Sequence, residues 1–136
     1  CNYDKYDNLS HYRIDRISNI EILDTPRKPK KQVEGLVGLD VAKYMQEHIF
    51  MFGGKSIRAK FEMPKYLISD VLDSFGANVN FTDIGDGNVL TSVKVNENDI
   101  RYWARLYASQ IKITEPKELV DMCKQDMVNA LKLYDV

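Results

Sequence analysis

Between residues 56 and 116 the apolar positions change period repeatedly, and the order of those changes leaves few folds open. Over residues 56–63, Ile57, Ala59, Phe61 and Met63 alternate with Arg58, Lys60 and Glu62, the period of a strand with one buried face, and Pro64 closes the run. Over 66–75, Leu67, Val71 and Phe75 recur at helical spacing with Ile68 and Leu72 beside them, and Gly76 stands where a left-handed C-cap belongs. Residues 78–84 alternate again through Val79 and Phe81, and residues 89–95 through Val89, Thr91, Val93 and Val95, with Asp86-Gly87 between them as a hairpin turn pair. Asn98 or Asp99 is expected to cap a second helix with the stripe Ile100, Trp103, Ala104, Tyr107 and Ala108, and residues 111–114 read as a short strand closed by Pro116.

This order, strand, helix, strand, strand, helix, strand, predicts an α+β fold: a ferredoxin-like four-stranded antiparallel sheet with both helices on one face. Residues 118–133 add a C-terminal helix, with Leu119, Met122, Cys123, Met127, Ala130, Leu131 and Tyr134 at three- and four-residue spacing. Its apolar face must be covered by the sheet, by the linker or by another chain. Ahead of the unit, residues 1–6 and 9–17 flank the turn pair Asp7-Asn8 as a hairpin, and Ile20 and Ile22 mark a third short strand over 19–23. Such strands are too few to make a stable sheet alone, so they are expected to be the end of a β domain that begins before Cys1. Residues 25–32, with Pro26, Pro29, Arg27, Lys28, Lys30 and Lys31, read as an extended basic hinge. Asp40 then starts a linker helix through about residue 50, with Val41, Tyr44, Met45 and His48 on adjoining faces and Gly53-Gly54 as its stop. The expected division is therefore 1–25, 26–54 and 55–136.

Nineteen basic against twenty acidic side chains exclude a global field that would draw the chain to nucleic acid or to an anionic membrane. No apolar run approaches a membrane span, and the first residues do not resemble a signal peptide, so a cytoplasmic location without membrane contact is expected. Cys1 and Cys123 have neither the number nor the spacing of a disulfide framework or a zinc site, and a buried thiol accounts for Cys123.

Gly54-Lys55-Ser56 has the ending of a phosphate-binding loop, but Ile49 sits where the earlier glycine is required and a strand, not a helix, follows. His11 and His48 have no neighbouring ligand set at metal spacing, and no serine or cysteine has a base placed beside it. Neither a metal nor a cofactor is implied, no catalytic residue stands out, and the sequence carries no positive sign of an enzyme. An RNA-binding sheet of this topology displays aromatic residues on its central strands, whereas Phe61 and Phe81 share the face of the core aliphatics. Trp103, Tyr102 and Tyr107 form an aromatic cluster that reads as a core stripe or a subunit contact. Arg13 and Asp15 fall on one face of the expected strand; they form a local ion pair, or else Arg13 and Arg16 aim guanidinium forks at a phosphate or carboxylate.

The segment His11-Tyr12-Arg13-Ile14-Asp15-Arg16-Ile17, followed by Ile20, resembles the strand near the end of WYL domains, the sensor modules of bacterial transcriptional regulators. Leu39-Asp40-Val41-Ala42-Lys43-Tyr44 and Phe50-Met51-Phe52-Gly53-Gly54 resemble the helix leading into that family's C-terminal extension. Ile57 to Phe61, the Tyr102-Trp103 region and Ile113-Thr114-Glu115-Pro116-Lys117-Glu118-Leu119 resemble the extension itself. The resemblance implies three parts in the parent protein: an N-terminal winged helix-turn-helix on DNA, an Sm-like barrel that senses a nucleotide or nucleic-acid effector, and an extension that supports a homodimer. It implies that Arg13 and Arg16, with His11 beside them, contact the effector, Arg13 foremost because Arg16 is placed to brace the barrel. It also points to Trp103, Tyr107, Leu131 and Tyr134 as dimer contacts. The family's Trp-Tyr-Leu strand would lie before Cys1, as would the DNA-binding domain. Set against this regulator reading is a free-standing small-molecule binding module built on the ferredoxin-like sheet, without DNA.

Overall fold

The computed structural model describes residues 9–33 and 35–134. Over residues 41–132 it is an α+β unit of one four-stranded antiparallel sheet and four helices. The strands are β1 (Ser56–Pro64), β2 (Val79–Gly85), β3 (Asn88–Asn96) and β4 (Lys112–Glu115), in the spatial order β2-β3-β1-β4. The helices are α1 (Val41–Glu47), α2 (Ile68–Phe75), α3 (Glu97–Leu106) and α4 (Lys117–Lys132). This order, with every neighbouring pair antiparallel, is compatible with a ferredoxin-like arrangement.

The alternation read from the sequence sets the register. Phe61 lies opposite Thr91, which lies opposite Phe81, and Ala59 opposite Val93 opposite Val79, so one face of three strands is apolar. On that face α2 contributes Val71 and Phe75, and α3 contributes Ile100, Trp103 and Ala104, all in one core with the sheet residues. Trp103 is the hub. Its ring centroid lies 5.4 Å from that of Phe61, 4.9 Å from Phe75 and 4.6 Å from Tyr107, and its indole N–H donates to Ser74 Oγ at 3.0 Å. Leu119, on the first turn of α4, is wholly buried in the same core. The opposite face of the sheet is charged and partly exposed. Lys60 pairs with Glu115 at 3.0 Å, Lys94 with Glu47 at 2.9 Å and Lys112 with Glu62 at 3.5 Å.

Local signals account for the element ends. Asp86 and Gly87 both take positive φ, 51° and 75°, as a two-residue hairpin of the twist-matching kind requires. Gly76 ends α2 at φ +72° with no atom within reach of a Cβ, so its role is conformational. Asp40 caps α1, its carboxylate accepting from the Lys43 amide at 3.2 Å. Three expectations are corrected. The cap of α3 is Asn96, not Asn98 or Asp99; its Oδ1 accepts from Asn98 N at 2.9 Å and Asp99 N at 3.1 Å. Helix α1 stops at Glu47, several residues before the two glycines, because His48 leaves helical conformation and its ring takes the Tyr44 carbonyl. Residues 9–17 and 19–23 form no strand: Leu9 is an isolated bridge residue and Ile14–Arg16 is a single 3-10 turn. Alternating residues need a neighbouring strand to take up their backbone groups, and none lies beside them among the described residues. The first half of the expected hairpin, residues 1–6, lies outside the described residues. No helix of the described residues is long and apolar enough to cross a membrane.

Candidate ligand site

The N-terminal arm, residues 9–23, and the loop 48–54 that follows α1 meet over the start of α3, and the sequence builds this junction from three kinds of contact. The first is a carboxylate clamp. Asp99, on the first turn of α3 and fully buried, accepts from Phe50 N at 3.2 Å through Oδ2 and from Phe52 N at 3.3 Å through Oδ1. Burial pushes its pKa up, against the two amide donors, which favour the charged form. The second is backbone fit. Asn98 Nδ2 donates to Gly53 O at 2.7 Å, and Gly54, at φ +124°, lies so close that a Cβ there would meet Asn98 Nδ2 at 2.9 Å.

The third is an aromatic ladder. His48 stacks on Tyr44 with centroids 3.8 Å apart, and His11 stacks on Tyr44 at 5.5 Å, so that arm, helix and loop are joined through three rings. His48 is 3 % exposed. Its Nδ1 faces the Tyr44 carbonyl at 2.8 Å; a carbonyl only accepts, so that nitrogen carries the proton, and the buried Nε2 has no partner among the described residues. Burial, and then the charge of His48, lowers the pKa of His11. Tyr44 is raised by burial and by Asp99. His48 is therefore a buried group.

Above the ladder the arm and loop enclose a cavity of about 440 Å³ lined by His11, Tyr12, Arg13, Arg16, Ile17 and Phe50–Phe52. The three residues singled out as effector contacts, His11, Arg13 and Arg16, thus line one wall. They reach it through a turn rather than a strand. Arg13 is committed locally: its Nε donates to Asp15 Oδ1 at 2.9 Å and its second nitrogen to Oδ2, which pulls the Asp15 carboxyl below the usual range. Arg16 has no carboxylate partner among the described residues and is the more available cation. Opposite it, Phe50 and Phe52 pack edge-on against Tyr102 at 4.8 and 5.7 Å, all three rings partly exposed. Such a pocket offers flat apolar surfaces beside a guanidinium, suited to a planar ring bearing a negative charge.

Sequence reasoning missed Tyr44, His48 and Asp99 as parts of this site. Asp99 stands four residues before Trp103, on the buried stripe of α3, and that position was its one signal. Of the expected dimer contacts, Trp103 is 1 % exposed and has no surface to offer a partner, and Tyr107 is half-buried against it. Leu131 and Tyr134, by contrast, are 54 % and 79 % exposed on the last turns of α4, beside Val128 and Leu133. No group of three or more His, Cys, Asp or Glu side chains among the described residues is placed to hold a metal ion. Compared with models of known protein families and with curated proteins, the chain matches none.

Proposed function

We infer that this chain is the C-terminal part of a WYL-type bacterial transcriptional regulator, in which a ferredoxin-like extension follows the last segment of an Sm-like barrel. Its work is regulatory: it supports ligand-responsive control of DNA binding by an N-terminal domain, and it holds two copies together. The observation that carries this reading is the convergence of His11, Arg13 and Arg16 with Phe50–Phe52 on one cavity at the junction between arm and extension. A ligand seated there touches both parts, so its binding energy can set their relative position, which is what effector control requires. The nucleotide or nucleic-acid class suits the combination of an unpaired guanidinium with exposed aromatic faces. The exposed apolar turns of α4 supply a surface for the second copy, and a two-fold dimer would match a two-fold operator.

The test is fluorescence anisotropy of labelled short oligonucleotides and of a labelled nucleotide at two salt concentrations. It is run with this chain and with the parent chain that the reading implies, each with Arg16→Ala and Arg13→Ala. Salt-sensitive binding by the parent chain that Arg16→Ala weakens supports the reading, because phosphate contacts release counterions. Absence of binding by the parent chain overturns the effector class. Sedimentation of Leu131→Glu examines the dimer separately, and a mass unaffected by this change counts against α4 as the contact.

A further inference from the structure

A larger cavity lies on the other side of α3. Helix α4 is held against the unit by Leu119 in the core, by Val120, Met122 and Cys123 packed against it, and by Asp126, which receives Arg101 at 2.6 and 2.7 Å and Arg105 at 2.9 and 3.0 Å. The seam between the two helices is nevertheless not filled along its length. The α3 side presents Ala104 and, in the turn after the helix, Ala108 as its apolar lining, and α4 presents Val120, Cys123 and Met127. A groove of about 470 Å³ remains, floored by Ile111 and Ile113. Protein interiors are packed to crystal density, so an apolar channel of this size, within the range of small-molecule sites, is a structure in itself. Its rim is basic. Arg105, Lys112 and Lys124 border it, Arg105 paired with Asp126 and Lys112 with Glu62. Lys124 has no carboxylate within 4.0 Å among the described residues. Thr114, at one wall, has a buried hydroxyl with no hydrogen-bond partner among the described residues.

We propose that this groove binds a small amphiphilic anion, an alkyl or aryl chain ending in a carboxylate, with its apolar part between Ala104, Ala108, Cys123 and Met127 and its anionic end at Lys124. An uncharged apolar ligand would leave the basic rim unused, and a hydrophilic anion would leave the apolar walls wet. An amphiphilic anion satisfies both. The site is independent of the arm cavity and of the regulatory reading, since it lies wholly within the folded α+β unit.

Decanoate is the probe and decanol its uncharged match, titrated calorimetrically into the full chain. Saturable decanoate binding is expected, weakened at least about tenfold by Ala108→Trp, which fills the groove from an exposed position. Lys124→Glu should weaken it about two- to fivefold, as an exposed charge does, and leave decanol unchanged. Cys123 gives a direct readout. In a Cys1→Ser background it is the only thiol, and decanoate should slow its alkylation by N-ethylmaleimide. Circular dichroism of both variants verifies folding, and Lys124→Glu carries the test if Ala108→Trp does not fold. Failure to bind decanoate, binding untouched by either variant, or alkylation unaffected at saturation each overturns the proposal.

Discussion

Thr91 sits at the centre of the apolar face, opposite Phe61 on one side and Phe81 on the other, fully buried, and its hydroxyl has no hydrogen-bond partner among the described residues. In the unfolded chain that hydroxyl is hydrated, so folding strips it of water and returns nothing. Replacing it with valine keeps the branched shape and the preference for strand, which leaves the polar group as the difference. An uncompensated buried hydroxyl costs about 1–3 kcal/mol in protein cores. Thr91→Val should therefore raise the unfolding free energy by about 1–3 kcal/mol, the gain in apolar transfer being part of the same quantity. At this chain length that corresponds to a rise in Tm of roughly 4 °C per kcal/mol. Urea unfolding followed by tryptophan fluorescence is the assay, since Trp103 reports directly on the core, and the slope against denaturant should not change. Thr91→Ser, which keeps the hydroxyl and loses the methyl, should destabilise. If Thr91→Val is neutral or destabilising, the hydroxyl has a partner in solution and the reasoning from its isolation fails.

Other consequences of the packing are as direct. Gly54→Ala places a Cβ at φ +124° and 2.9 Å from Asn98 Nδ2, so it should cost about 2 kcal/mol or more in urea unfolding. Ser74→Ala removes the acceptor of the buried Trp103 indole N–H and should cost about 1–2 kcal/mol, visible also as a shift in tryptophan emission. Asp126 has its pKa lowered by the Arg101 guanidinium first and, despite partial burial, by Arg105 as well. A carboxyl with a lowered native pKa stabilises the fold above the unfolded value of 3.8 and loses that contribution as the pH falls through the native one. Asp126→Asn should therefore cost about 1–2 kcal/mol near neutrality and flatten the fall in stability between about pH 5 and about pH 2. An unchanged acid limb in the variant would place the loss elsewhere.

Much of the sheet was legible because its signals are local. The alternation of Ile57, Ala59, Phe61 and Met63, the Asp86-Gly87 turn and the terminating Gly76 each act within a few residues, and their positions agree with the observed strands and helix end. The cap of α3 was misplaced by two or three residues because Asn96, Asn98 and Asp99 are all chemically able to cap. Only the fold shows that Asp99 is drawn away to the amides of Phe50 and Phe52. The arm was misread for a different reason. Tyr12 and Ile14 alternate with charged residues as a strand does, but a strand exists only beside another, and Arg13 spends its hydrogen bonds on Asp15 two residues away. His48 illustrates the same limit, since one imidazole in a helical stretch carries no sign that it will stack on Tyr44, or that His11 will stack on the same ring.

Apolar packing of Ile49 and of Leu119, Val120, Met122 and Cys123 joins the appended parts to the core, and α3 adds directional polar contacts to both. Its first turn holds the loop after α1 through Asn98 and Asp99, and its exposed flank holds α4 through Arg101 and Arg105 on Asp126. Apolar contact alone would let either part slide, because it is non-directional and proportional to area. A carboxylate that must accept two particular amides, or two guanidinium forks, has one geometry that satisfies it, and burial makes every other geometry costly. Helix α3 therefore fixes the position of the arm cavity on one side and the width of the apolar groove on the other. It lines the groove directly through Ala104 and Arg105, and acts on the arm cavity at one remove, by holding the Phe50 and Phe52 amides of the loop that lines it.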